Sequence, residues 1–317
     1  MVQPIPDPLV ARPWRLGAPP ERVIRAVAGA RGPLWTRPHR GVLAWSALDP
    51  SATSFRVLAA AEAEPGVPLG TWAAAWMHGA QDLDGEWANG VPQDVVFCPG
   101  RSGRRMARPG LRPLRSELDD EDVVVVRGIP VTSPVRTAFD LGRTAPNLDT
   151  AVADVDCLLR HTRVAVPALA AYTARRPGWK GVPLLRAALP LLDPRSRSRP
   201  ESRMRVVWVR DAGLPLPLCN AEVRSRQGRR LLGIPDLLDP ASGLVGEYDG
   251  GYHRDPDQHG ADNVREERLE EHGLVVVRAT WRQVIEPSAL AQRLRAGYSL
   301  AQRTSTRRWY VPPSRRS

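Results

Sequence analysis

The stretch RLLGIPDLLDPASGLVGEYDGG, residues 230–251, decides the reading of the C-terminal half. Residues 230–238 form an apolar run after a polar turn at Gln227 and Gly228, so they pair as an antiparallel hairpin with 221–223. DPASG (239–243) is a second turn and LVGEYD (244–249) the next strand. If Leu238 opposes Val245 across that turn, Asp236 and Glu247 face each other with side chains about 5 Å apart. Two like charges so placed repel unless a cation lies between them. Asp249 follows Glu247 at strand spacing and shares its face. An oxygen-only donor set of this kind suits Mg²⁺ or Mn²⁺ and not zinc. A register slip of one residue separates the pair, leaving Asp236 and Asp239 as turn residues and Glu247 facing solvent.

Downstream, Gly250 and Gly251 let the backbone turn sharply before His253, a residue type that serves as a general base or a phosphate ligand beside carboxylates. Residues 261–272 (ADNVREERLEEH) read as a charged helix stopped at Gly273, and 274–280 (LVVVRAT) as a buried strand. Arg265 and Arg278 then face the carboxylate edge as phosphate clamps, or serve as surface ion-pair arginines. Upstream, 201–212 is helical by the spacing of Met204, Val207 and Trp208 and ends at Gly213. The expected fold is a mixed sheet flanked by helices, with strands near 220–226, 229–238, 244–250 and 274–280.

The order of Glu201 on a helix, PD at 235–236, EYDGGYH at 247–253, DNVREERL at 262–269 and GLVVVR at 273–278 resembles the endonuclease-like domain of unknown function 559. That family is related to the very-short-patch-repair endonucleases of the PD-(D/E)XK superfamily. The resemblance covers about 195–300 and implies a restriction-endonuclease-like α/β core. Asp236 and Glu247 are its implied metal ligands, and Glu201 its helix carboxylate. The superfamily's usual lysine falls at Asp249, as in variants that lack it.

The N-terminal half reads as α+β. PERVIRAVAGA (20–30) has helical spacing and GVLAW (41–45) reads as a strand, a pairing similar to the last helix and wing of a winged helix. GTWAAAWMHGA (70–80) is an Ala/Trp-rich helix with His78 as a packed histidine. The segments 94–99 and 122–128 are strands, and VTSPVRTAFDLGR (131–143) starts a helix with Ser133 as N-cap and Pro134 in the first turn. Helices follow near 149–161, 167–175 and 182–192. HRGVL (39–43), the 70–80 helix and the 131–143 motif resemble the AbiEi-family antitoxins of type IV toxin–antitoxin systems, which implies DNA-binding autorepression.

The aperiodic DPRSRSRP (193–200) reads as a linker between an N-terminal domain (1–192) and an endonuclease-like domain (201–300), followed by a basic tail (301–317). The net charge of +11 points to nucleic acid, most simply DNA. Lys180 is the only lysine, so arginine supplies the other 44 of the 45 basic residues, a skew that coding bias explains as well as phosphate binding does. Three scattered cysteines (98, 157, 219) form neither a disulfide framework nor a zinc knuckle. No apolar run is long enough to span a bilayer, and a soluble, cytoplasmic protein without a small-molecule cofactor is expected. Three functional readings stand: a metal-dependent nucleic-acid phosphodiesterase, a non-catalytic DNA-binding regulator on a retained nuclease fold, or a protein-interaction module of a defence island.

Overall fold

The computed structural model describes residues 14–15, 33, 35–101, 106–250, 265–304 and 306–313. The chain divides into two compact units, 1–140 and 141–317. In the first, β1 (Trp14–Arg15), β2 (Trp35–Thr36) and β3 (Val42–Trp45) form an antiparallel sheet with β3 central. The winged-helix expectation over 20–30 lies outside the described residues. Helices Thr53–Ala63 and Thr71–Met77 follow, then β4 (Val95–Phe97) parallel to β5 (Leu111–Pro113). β6 (Val123–Val126) and β7 (Ile129–Thr132) form a hairpin closed by Arg127 and Gly128, both at positive φ as a tight two-residue turn requires.

The helix Pro134–Thr144 begins in the first unit. Its Arg136 is fully buried and bonds Asp140 (2.8 Å), Asp122 (2.7 Å), the Ser116 hydroxyl (2.6 Å) and the Glu117 carbonyl (2.7 Å). The 131–143 motif is therefore built around a buried ion triad, which is structural. Ser133 precedes the helix, but its buried hydroxyl makes no capping bond. His78 packs half-buried against the Thr132 carbonyl at 2.8 Å, as expected, and burial lowers its pKa.

In the second unit, helices Leu148–His161, Val166–Ala174 and Val182–Ala188 precede Arg199–Val206, which continues as a π-turn to Asp211. Two sheets follow. One is mixed: β8 (Leu218–Cys219), β11 (Leu237–Leu238) and β12 (Leu244–Asp249) run antiparallel in turn, and β13 (Val275–Thr280) lies parallel to β12. The other is antiparallel, with β9 (Val223–Ser225) between β10 (Leu231–Gly233) and β14 (Trp309–Tyr310). The single strand expected over 229–238 is thus two strands in different sheets. The reason is local: the pairing shifts between Leu231 and Gly233, and Pro235 has no N–H for a ladder.

Two further boundaries differ from the sequence reading. The stretch 193–200 lies inside the second unit, tied down by the Asp193 N–H to Asp156 (2.8 Å) and by a buried Ser196 whose hydroxyl meets that of Ser202 (2.8 Å). Residues 309–310 are not tail but sheet, because the Trp309 ring fills a core with Val223, Leu232, Leu238, Val245, Leu269 and Leu274.

The helix Arg199–Val206 lies close against β12. Met204 and Trp208 pack where a side chain at Gly246 would otherwise sit; a Cβ there would come within 2.7 Å of the Met204 methyl. This close approach brings Glu201, one helical turn earlier, to the carboxylate end of the sheet.

Candidate active site

Leu238 pairs with Val245 and Leu237 with Gly246, the register on which the sequence argument depended. Continued by one step, it sets Asp236 against Glu247. Asp236 leaves the ladder there, and its Oδ2 accepts the Tyr248 N–H at 2.7 Å. In the parallel pairing, Glu247 lies beside Arg278 and Asp249 beside Thr280. One face of the sheet therefore carries Leu238, Val245 and Val276 at the core end, and Asp236, Glu247, Asp249 and Arg278 at the other.

Those polar groups line one cleft of about 350 Å³ with Ser198, Pro200, Glu201, Tyr248, Gly250 and Arg265. Six of the seven site residues read from the sequence converge here: Glu201, Asp236, Glu247, Asp249, Arg265 and Arg278. The seventh, His253, lies outside the described residues. Asp239, as the turn reading held, is a turn residue; its carboxylate accepts from the Ser242 N–H (2.9 Å) and hydroxyl (2.6 Å).

Each charged group has a definite environment. Burial, reinforced by the charge of Glu201, raises Asp236 to about 6, against the pull of the Tyr248 N–H, Arg265 and Arg197. Glu247 is 8 % exposed and its Oε2 pairs with Arg265 at 2.9 Å. Arg278 pairs with Glu266. Glu201 is held on both oxygens: Oε1 accepts the Ser198 hydroxyl (2.8 Å), and Oε2 the Arg197 N–H (2.9 Å) and the Asn220 amide (3.0 Å). The Ser198 hydroxyl also accepts the Glu201 N–H at 3.3 Å, the helix-start arrangement that Ser-x-x-Glu spacing announces. Asn220, held at a φ of +49°, had no such signal, since it meets Glu201 only through the fold.

Lys180, the sole lysine, is not among the residues lining this cleft. Cys219 is buried and its thiol is pushed up to about 12 by desolvation, against the pull of Arg205, so it is inert as a nucleophile or metal ligand. Among the described residues, no group of three or more His, Cys, Asp or Glu is arranged to hold a metal ion. Asp236 and Glu247 line the one cleft, and a pair of carboxylates is a donor set that fits Mg²⁺, which keeps most of its waters and takes one or two carboxylates.

Comparison with known proteins bears on a stretch of chain upstream of the cleft. Residues 69–186 match the AbiEi antitoxin C-terminal domain. No curated protein and no solved structure matches the chain. The antitoxin-like segment ends before the cleft begins at Ser198, so the endonuclease resemblance draws no support from it and rests on the chain's own residues.

The antitoxin-like segment nevertheless packs on the helix that carries Glu201. Leu148–His161 presents Asp149, Asp154 and Asp156 to Arg203, Arg199 and Arg205 of the Glu201 helix. Arg199 meets Asp154 at 2.8 Å, and the Arg205–Asp156 pair is fully buried, with the Ser202 hydroxyl on Asp156 (2.7 Å) and the Leu191 carbonyl on Arg205 (2.8 Å). No helix among the described residues is long and apolar enough to cross a membrane.

Proposed function

We propose that residues 198–280 form a Mg²⁺- or Mn²⁺-dependent phosphodiesterase site acting on nucleic acid, in a protein of toxin–antitoxin context. The supporting observation is that Asp236, Glu247, Asp249, Glu201 and two arginines share one cleft, Asp236 standing one residue beyond the last pair of the β11–β12 ladder. Asp236 and Glu247 would hold the ion, whose charge opposes the charge developing on the scissile phosphate. Arg265 and Arg278 already contact carboxylates and would exchange them for phosphate oxygens, the same geometry of acceptor. Glu201, fixed by Ser198, Arg197 and Asn220, keeps Asp236 basic enough to favour a cation. His253, four residues past Asp249 in the sequence, would help deprotonate the attacking water.

A second reading is favoured by two observations. Asp249 stands where the resembling superfamily usually has lysine, and residues 69–186 match an antitoxin domain. On that reading the protein is a DNA-binding regulator that keeps the nuclease fold as a scaffold. Plasmid nicking with Mg²⁺ or Mn²⁺ separates the two. The nuclease reading requires metal-dependent nicking by the wild type, lowered about 10²-fold or more by Glu247→Gln. An inert wild type that Asp249→Lys makes active identifies a degenerate scaffold. Inert proteins throughout, with salt-dependent DNA binding retained, leave the regulator.

A further inference from the structure

The antiparallel sheet β10–β9–β14 carries a feature that neither reading uses. Its inner residues Val223, Ser225 and Trp309 are buried, whereas the alternate positions Arg226 and Arg308 are exposed. The pairing of Trp309 with Ser225 and Tyr310 with Arg224 sets Arg308 directly opposite Arg226, and the Arg226 N–H donates to the Arg308 carbonyl at 2.8 Å. On the other side, the Ser225 N–H donates to the Arg230 carbonyl (2.8 Å), which brings the exposed Arg229 beside Arg226 across the turn. The only carboxylate on these strands and their turn is Glu222, already engaged by Arg224 at 2.9 Å.

Like charges in directly opposed cross-strand positions destabilise a sheet. Arginine-rich coding accounts for the number of arginines but not for their meeting where the three strands end. A polyanion lying along the row removes the repulsion. The turn also borders a cleft of about 490 Å³ lined by Arg230, Arg268 and His272, with Glu267 and Glu271 on its helical wall. Arg265, on the same helical segment 265–271, enters the carboxylate cleft.

We infer that this sheet face is a docking surface for the phosphate backbone of duplex DNA, with Arg226, Arg229 and Arg308 as its central contacts. Binders of single strands stack bases on exposed aromatic rings, and here Trp309 is buried and Tyr310 half-buried. Neighbouring exposed arginines, of which Arg226 is anchored by its Nε–H on the Trp309 carbonyl at 3.1 Å, suit the rigid, regularly spaced phosphates of a duplex, read without regard to sequence. The inference goes beyond the proposed catalysis and does not depend on it.

The test titrates full-length protein into a fluorescent DNA duplex in EDTA, with anisotropy followed from about 50 to 200 mM salt. Arg226→Ser, Arg229→Ser and Arg308→Ser combined should weaken binding about 10²-fold at the low-salt end. The same variant should lower the slope of log affinity against log salt by about 2 to 3. The corresponding triple lysine variant should keep most of both. A control triple with equal charge loss elsewhere in the unit (Arg163→Ser, Lys180→Ser, Arg186→Ser) should keep the slope. Equal losses in the two serine triples, no loss in the first, no duplex binding by the wild type, or tighter binding of single strands would each overturn the assignment. Wild-type binding without cleavage in Mg²⁺ counts against the phosphodiesterase alone.

Discussion

At Asp236 the demands of folding and of the proposed chemistry conflict. Its carboxyl is raised from 3.8 to about 6, first by burial and then by Glu201, so the folded chain holds this proton more tightly than the unfolded chain. The stability it contributes is therefore present below pH 3.8 and lost as pH rises through about 6. At pH 7.5 the ionised group is a liability. Asp236→Asn keeps an acceptor for the Tyr248 N–H and removes the charge, so it should raise unfolding stability by about 1–3 kcal/mol at pH 7.5 in the absence of metal. The gain should vanish near pH 4, and urea denaturation at the two pH values reads both. A variant less stable than wild type at pH 7.5 would show that the charge is compensated. Glu201 illustrates what a sequence does and does not disclose about one residue. Its helical position was legible; its bond to Ser198 was missed although Ser-x-x-Glu spacing carried the signal, and its hold on Asn220 had no signal, because nineteen residues and a chain reversal separate them.

Between elements, three ion pairs clasp helix Leu148–His161 to the Glu201 helix and so constrain one wall of the cleft. Removing one partner of its buried pair leaves a charge with no compensating group, so Asp156→Ala should cost about 3–5 kcal/mol in urea denaturation. Asp156→Leu combined with Arg205→Met should recover most of that loss, since neither buried charge then remains. A loss below about 1 kcal/mol for the single variant would mean that water reaches Arg205. This clasp is also why 193–200 looked like a linker. Prolines, serines and arginines without periodicity read as a boundary, and the aspartates that bind the nearby arginines lie more than forty residues upstream. The 239–243 turn was legible for the opposite reason. DPASG is short, its Asp239 bonds within the turn, and two residues on each side fix the register of β11 against β12. Pro235 carried the signal that divides 230–238, and the apolar composition of that run concealed it.

For the whole molecule, the antitoxin-domain match and the candidate site lie in successive, non-overlapping stretches of the chain, 69–186 and 198–278. Composition gave the direction of the charge but not its address. Of the basic clusters visible along the sequence, at 101–115, 195–205 and 303–316, the last contains Arg308, but Arg226 and Arg229 lie outside all three and meet it only through a strand pairing that no local window contains. The carboxylate pair was readable because both members belong to one local hairpin. Its meaning as a cation site is what everything catalytic depends on, and calorimetric titration with Mn²⁺ at pH 7.5 and pH 5 measures it directly. The wild type should bind one ion per chain at pH 7.5 and bind about tenfold more weakly at pH 5, where Asp236 must first lose its proton. Asp236→Asn and Glu247→Gln should each abolish the signal. Binding that both variants retain unchanged would contradict a metal site at Asp236 and Glu247.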